Sequence, residues 1–278
     1  MHVLTVDFQS PEAPELFSQS LKQTGFAVLT NHLISHNLIE QSYQAWEKFF
    51  SSDAKHHYTY QKPKQDGYFP LGTENAKDAR VSDLKEFYHF YLSGKQPEQT
   101  KESTIALFSE LMTMGSTLLS WVESCLPIQV ASDLSMPLHQ MIKDSQNTLL
   151  RILHYPALDA AIQSGAVRAS AHEDINMLTL LPAATKPGLE VLDAHGHWHA
   201  VSCDKGNIVV NVGDMLQMCT QAYYQSTTHR VVNPTDAAEN VSRYSMPLFL
   251  HARPEVIVGP NKTANEYLHE RLREIGIY

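Results

Sequence analysis

Beyond about residue 147 the sequence changes its period: short runs rich in Leu, Val, Ile and Thr alternate with turn signals, among them Lys186-Pro187-Gly188, Ala194-His195-Gly196 and Asn233-Pro234. Glycine and proline reverse the chain at such points, and strands this short and closely spaced bury their apolar faces only by packing into a sandwich or barrel. The first half reads differently. Leu38, Ile39, Trp46, Phe49 and Phe50 recur at helical spacing between Ser35 and Ser51. Ile105, Leu107, Phe108, Leu111, Leu118, Leu119 and Trp121 do the same between Pro97 and Cys125, and Pro127 ends the pattern. A further helix is expected from Ser10-Pro11, as cap and first turn, to about Gln23, with Gly25 supplying a left-handed end. The alternation of Leu4, Val6 and Phe8, the run Gly25 to Thr30 and the aromatic stretch Leu84 to Leu92 predict strands, with a polar loop over 63–79.

No repeat and no low-complexity linker separates the halves. The expectation is therefore one α+β domain over residues 1–278, mainly β at its core. It divides into a helix-rich flank (1–146), a β core carrying the site (147–253) and a C-terminal extension (254–278), in which Tyr267, Leu268, Leu272 and Ile275 are spaced for a helix.

Within the β half, residues 171–181 read Ala-His-Glu-Asp-Ile-Asn-Met-Leu-Thr-Leu-Leu. Residues two apart in extended chain share a face, so His172 and Asp174 can aim at one point. With 15 histidines in the chain, about one His-x-Asp is expected by chance. This one gains weight from its place at the start of a β run, with a second histidine, His229, on the later run Ser226 to Val232. Two imidazoles and one carboxylate on one face of a metal leave the opposite positions open, the arrangement of non-haem iron(II) sites that activate oxygen. A zinc hydrolase would use the same three ligands. In the segment Val241 to Leu250, Arg243 and Ser245 also share a strand face, and a guanidinium beside a hydroxyl suits bidentate capture of a carboxylate. Arg168 and Ser170 repeat that spacing in a segment with little strand character and compete for the role.

A formal net charge of -9 with no local basic patch disfavours nucleic acid or an anionic membrane as a partner. Met1 to Ser10 lacks the pattern of a signal peptide, and no uninterrupted apolar run approaches the about 20 residues of a spanning helix, which predicts a cytoplasmic protein. Cys125, Cys203 and Cys219, odd in number and without metal spacing, read as reduced thiols.

Several segments together carry a family likeness: Leu150-Arg-Ile-Leu-His-Tyr-Pro156, His172-Glu-Asp174, Asn211-Val-Gly-Asp214, Ser226-Thr-Thr-His-Arg-Val231 and Arg243-Tyr-Ser245. With Gly25 to His32, Gly67-Tyr-Phe-Pro and Asp83-Leu-Lys-Glu-Phe87 upstream, nearly the whole chain resembles the isopenicillin N synthase-like branch of 2-oxoglutarate and iron(II)-dependent oxygenases. The resemblance implies a distorted double-stranded β-helix, or jelly roll, with Fe(II) held by His172, Asp174 and His229. It implies that Arg243, Ser245 and Tyr155 bind the far carboxylate of 2-oxoglutarate. O2 and 2-oxoglutarate would be consumed, succinate and CO2 released, and a small-molecule substrate hydroxylated, desaturated or cyclised. Apart from the resemblance, a monomer or homodimer is expected.

Two departures stand out. Leu153 occupies a position where plant members often carry asparagine, and Ala222-Tyr223-Tyr224 stands in place of a glycine-containing turn. The second, like His172-Glu-Asp174, is closer to isopenicillin N synthase itself. An oxidase that omits 2-oxoglutarate is therefore the competing reading, and a metal-retaining binding or sensor protein is the third. His195, His197 and His199 alternate through a hairpin and read as surface residues rather than a second metal site. Tyr68, His89, Phe90, Tyr91, Met177, Phe249 and His251 are substrate-pocket candidates whose ordinary role is core packing. Asn211 and Asp214 flank Gly213 and read as turn-forming.

Overall fold

The computed structural model describes residues 1–61, 65–73, 83–158, 166–202 and 204–274. Its first half runs β1 (Thr5–Asp7), α1 (Ala13–Thr24), β2 (Phe26–Thr30), α2 (His36–Phe50), β3 (Gly67–Phe69), β4 (Glu86–Phe90), α3 (Glu98–Ser124), α4 (Ile128–Ser132) and α5 (Leu138–Met141). The second continues with β5 (Leu149–Tyr155), β6 (Ala169–His172), β7 (Leu178–Pro182), β8 (Leu189–Leu192), β9 (Trp198–Ala200), β10 (Ile208–Val212), α6 (Asp214–Cys219), β11 (His229–Val231), β12 (Arg243–Ser245) and β13 (Leu248–Leu250). A hairpin of β14 (Ile257–Gly259) and β15 (Lys262–Thr263) leads into α7 (Ala264–Glu274).

The main sheet has the order β1-β2-β10-β7-β13-β5-β4-β3, with β12 also paired to β5, and only β1 with β2 is parallel. A second sheet, β6-β11-β8-β9, faces it. The inner faces meet at one end through Phe26, Val28 and Val209 against Val191 and Val201. At the other end Phe87, Leu153 and Tyr155 meet Ala169 and Val231. Two packed sheets of short antiparallel strands form the expected jelly roll. The strands β1 to β4, all from the helix-rich half, extend the main sheet at both edges.

Helices cover the main sheet's outer face, where Leu150, Ile152, Leu180, Leu248 and Leu250 join a core shared with α1, α2 and α3. Trp46 of α2 is fully buried there, packs on Tyr88 and donates Nε1–H to Thr104 of α3 at 2.9 Å. Gly115 lets α3 lie close to β13, since a Cβ there would come within 2.4 Å of Leu250 Cδ1. By length and composition alone α3 could cross a membrane, but here it buries Leu107, Leu111, Leu118, Leu119 and Val122 in the shared core.

Two local expectations need correction. Helix α1 begins after Ser10-Pro11: Ser10 accepts from the Glu12 and Ala13 N–H groups in a preceding turn, and Pro14 takes the first helical turn. At its other end Gly25 does close the helix at φ +72°, with its N–H donating to Leu21 O, and a Cβ would sit 2.2 Å from Thr227 Oγ1. The loop predicted over 63–79 contains β3, a strand of three residues that exists through pairing with β4. The rest of that loop at 63–64 and 74–79, together with Cys203 and Ile275, lies outside the described residues.

Candidate metal centre and cosubstrate pocket

Strands β6 and β11 are neighbours in the small sheet, and their register pairs His172 with His229, ring centroids 4.4 Å apart. Strand β6 ends at His172, so Asp174 is brought alongside by the bend leading to β7 rather than by strand alternation. Its Oδ1 lies 3.8 Å from Nε2 of each histidine, too far for a hydrogen bond and suited to atoms facing a common ion. The three ligand atoms lie within 4.8 Å of one another, the one such group of His, Cys, Asp or Glu among the described residues.

Hydrogen bonds on the far side of each group aim it. His172 Nδ1 donates to Ser170 O at 2.7 Å and His229 Nδ1 to Thr227 O at 3.1 Å, which leaves the Nε2 lone pairs for a metal. Asp174 Oδ2 accepts from Thr179 Oγ1 at 2.5 Å and Asn211 Nδ2 at 2.8 Å, so Oδ1 is the oxygen turned to the imidazoles. Thr179 on β7 and Asn211 on β10 are register partners. The main sheet thus holds the carboxylate while the small sheet holds the imidazoles.

The segment Asn211-Val-Gly-Asp214 does more than turn the chain. Asn211 orients Asp174, the Asp214 N–H donates to Asp174 O at 2.7 Å, and a Cβ on Gly213 would strike Asn176 O at 2.2 Å. The Asp214 carboxylate accepts from the Tyr267 hydroxyl of α7 at 2.8 Å. Asn211→Ala is expected to weaken metal binding by roughly 10–100-fold, the usual cost of losing a contact behind a ligand. A metal titration giving the wild-type affinity would remove Asn211 from this role.

Electrostatics favour the protonation state that a divalent cation needs. Desolvation and then the adjacent His229 depress His172 to about 4, although partial exposure of its ring moderates the effect. Burial pushes the Asp174 carboxyl up, but the two histidines and the Thr179 and Asn211 hydrogen bonds outweigh it and hold the group below its usual range.

His251, just past β13, is buried with its Nδ1 unpartnered, and desolvation lowers it to about 4. Its folded-state value lies below the ordinary 6.5, so the unfolded chain binds the extra proton first. Stability associated with His251 is therefore complete above about pH 6.5 and is lost as pH falls through about 4, by roughly 3 kcal/mol in total. In metal-free protein, His251→Gln should remove that part of the pH dependence of the urea midpoint; an unaltered profile would refute the assignment.

The predicted anchor residues lie on the same inner face. Arg243 and Ser245 pair in register with Tyr155 and Leu153, and Phe249 links this face to Thr179. Arg243 is 2% exposed, its Cζ 5.1 Å from the centre of the Tyr155 ring. Its Nε donates to Lys186 O and Pro187 O at 3.0 and 3.2 Å, so the Pro-Gly turn fixes the guanidinium, while Nη1 is buried with no partner. Burial pushes its pKa down. A desolvated guanidinium with an unmet N–H is costly until an anion arrives. Of the competing pair, Ser170 is engaged elsewhere: its hydroxyl donates to Asp83 Oδ1 at 2.8 Å, in a segment that proves to be strand β6.

Of the pocket candidates, Tyr68 faces the helices and donates its hydroxyl to Glu86, Phe90 packs near Phe108, and Met177 is core. His89 and Phe249 face the interior beside Arg151, whose Nε donates to His89 Nε2 at 2.9 Å and whose Cζ lies 4.9 Å from the Phe87 ring centre and 5.6 Å from that of Phe249. Counting back in twos from Tyr155 along β5 would have revealed Arg151 in the sequence. In the β8–β9 hairpin, Asp193 accepts from the N–H groups of His195 and His197 and contacts His199 Nε2 at 2.7 Å, a turn rather than a metal site.

Residues 146–252 match the 2OG-Fe(II) oxygenase superfamily, and residues 5–108 match the N-terminal family described as non-haem dioxygenase in morphine synthesis. The proline hydroxylase buaE of Petromyces alliaceus is 30% identical over 268 residues, spanning 87% of this chain and 83% of its own. A 2-oxoglutarate-dependent dioxygenase of Didymella fabae is 29% identical over 275 residues, spanning 87% and 80%. Among solved structures, an oxygenase from Shewanella oneidensis has a TM-score of 0.91 at 42% identity over 100% of both chains. A 2OG-Fe(II) oxygenase family protein from Caulobacter crescentus has a TM-score of 0.82 at 30% identity, over 98% of this chain and 99% of its own. The chain thus belongs to the isopenicillin N synthase-like 2OG-Fe(II) oxygenases and is a non-haem iron(II) dioxygenase using 2-oxoglutarate and O2.

Proposed function

We propose that His172, Asp174 and His229 hold the iron(II) and that Arg243, Ser245 and Tyr155 hold the far carboxylate of 2-oxoglutarate. The observation that carries this reading is the shared interior: three converging ligand atoms and a buried guanidinium without an anion lie between the same two sheets. Bound iron supplies oxygen activation coupled to decarboxylation of 2-oxoglutarate. The chain's own part is to orient and to keep water out. Thr179 and Asn211 fix the carboxylate ligand, the Ser170 and Thr227 carbonyls fix the imidazole tautomers, and the Lys186-Pro187 turn fixes Arg243.

The substrate is a small molecule that is hydroxylated, desaturated or cyclised. Phe249, beside the Arg151 guanidinium on the interior face, is the part of the barrel wall we assign to substrate contact. We place the protein as one cytoplasmic domain, monomeric or homodimeric; the charge of -9 speaks against a nucleic-acid partner, and the packing of α3 within the core speaks against a membrane one.

Iron-reconstituted protein given 2-oxoglutarate and O2 should form succinate slowly on its own and faster once a substrate is found. No succinate from protein with iron bound would favour the oxidase that omits 2-oxoglutarate.

A further inference from the structure

Arg168 has no part in the reading above. It precedes β6 by one residue, beside a stretch where the pairing with β11 is irregular: His229 lies opposite His172, but Val231 lies opposite Ala169. The side chain is 2% exposed. Its Nη2 donates to Val241 O at 2.7 Å, two residues ahead of Arg243, and its Nε is buried without a partner. The adjoining Ala169 packs in the cluster that contains Leu153, Tyr155 and Val231, and the bond to Val241 O brings the Arg168 guanidinium to the segment that leads into Arg243. Desolvation and then the charge of Arg243 push the Arg168 pKa down.

No carboxylate pairs with either arginine among the described residues, and each keeps one buried N–H unmet, Arg168 at Nε and Arg243 at Nη1. Two desolvated like charges with unmet donors call for an anion between them. We propose that Arg168 is a second guanidinium for the far carboxylate of 2-oxoglutarate, binding it together with Arg243. The carboxylate has two oxygens, enough for one arginine on each. This inference rests on the assignment of Arg243 as the cosubstrate anchor.

Calorimetric titration of the manganese(II)-loaded full chain with 2-oxoglutarate, and with 2-oxopentanoate, which lacks the far carboxylate, separates the two claims. Arg168→Met is expected to weaken 2-oxoglutarate binding by about tenfold or more, the scale of a charge-assisted hydrogen bond, and to leave 2-oxopentanoate binding unchanged. Equal loss for both ligands, or loss for neither, would overturn the proposal. Should Arg168→Met not fold, Arg168→Lys should show the same selective loss in smaller measure, and an unchanged preference for 2-oxoglutarate in that variant would overturn it too. A wild-type protein that does not prefer 2-oxoglutarate to 2-oxopentanoate would instead remove the Arg243 anchor, and this inference with it.

Discussion

Asp174→Ala is expected to abolish iron(II) binding and with it turnover, a loss well beyond the roughly 10–100-fold that follows from removing a contact behind a ligand. Asp174 Oδ1 is the atom equidistant from both imidazoles, at 3.8 Å from each, and it supplies the one carboxylate of the group. Two neutral imidazoles alone would leave the cation's charge uncompensated inside the barrel. The metal-free variant should still fold. Thr179 and Asn211 lose their shared acceptor, at about 1–3 kcal/mol each, but a buried carboxylate is removed as well, which offsets part of that cost. The large difference should appear between metal-loaded samples, because only the wild type gains stability from metal binding. Thermal unfolding with and without added iron(II) under anaerobic conditions checks both parts.

The second large effect is expected from Arg243→Met. Two charge-assisted hydrogen bonds to a carboxylate, partly compensated, amount to about 3 kcal/mol, or roughly a hundredfold in 2-oxoglutarate affinity. Iron affinity should not change, because Arg243 touches neither histidine nor Asp174 and is held by the Lys186 and Pro187 carbonyls. Equilibrium titration with 2-oxoglutarate at saturating metal measures this directly. A variant that loses both ligands together would mean that Arg243 supports the barrel rather than the cosubstrate.

Much of this site was legible in the sequence because its residues sit in locally periodic segments. His172, His229, Arg243 and Ser245 all lie on short strands, so alternation alone places each on a face. The helices containing Trp46 and Leu111 were equally plain, since their apolar spacing is determined by burial on one side. The start of α1 was misplaced because two prolines, Pro11 and Pro14, offer the same local signal and only the turn at Ser10 decides between them.

What depended on register was hidden. That Thr179 and Asn211 meet the same carboxylate oxygen follows from β7 pairing with β10, residues more than thirty apart in the chain. The three-residue β3 exists through its partners, β4 on one side and the chain at Thr59 and Tyr60 on the other. Arg168 read as a rival to Arg243 because the sequence cannot tell that Ser170 is committed to Asp83 or that the Arg168 guanidinium bonds to the backbone two residues ahead of Arg243.

The most direct test of the central claim is the visible charge-transfer absorption of the iron(II) chelate of 2-oxoglutarate, recorded anaerobically for the wild type, Asp174→Ala and Arg243→Met. The triad and its anchor predict a saturable band in the wild type, none in Asp174→Ala, and in Arg243→Met a band that needs roughly a hundredfold more 2-oxoglutarate. A band of wild-type strength at the same 2-oxoglutarate concentration in both variants would contradict the assignment.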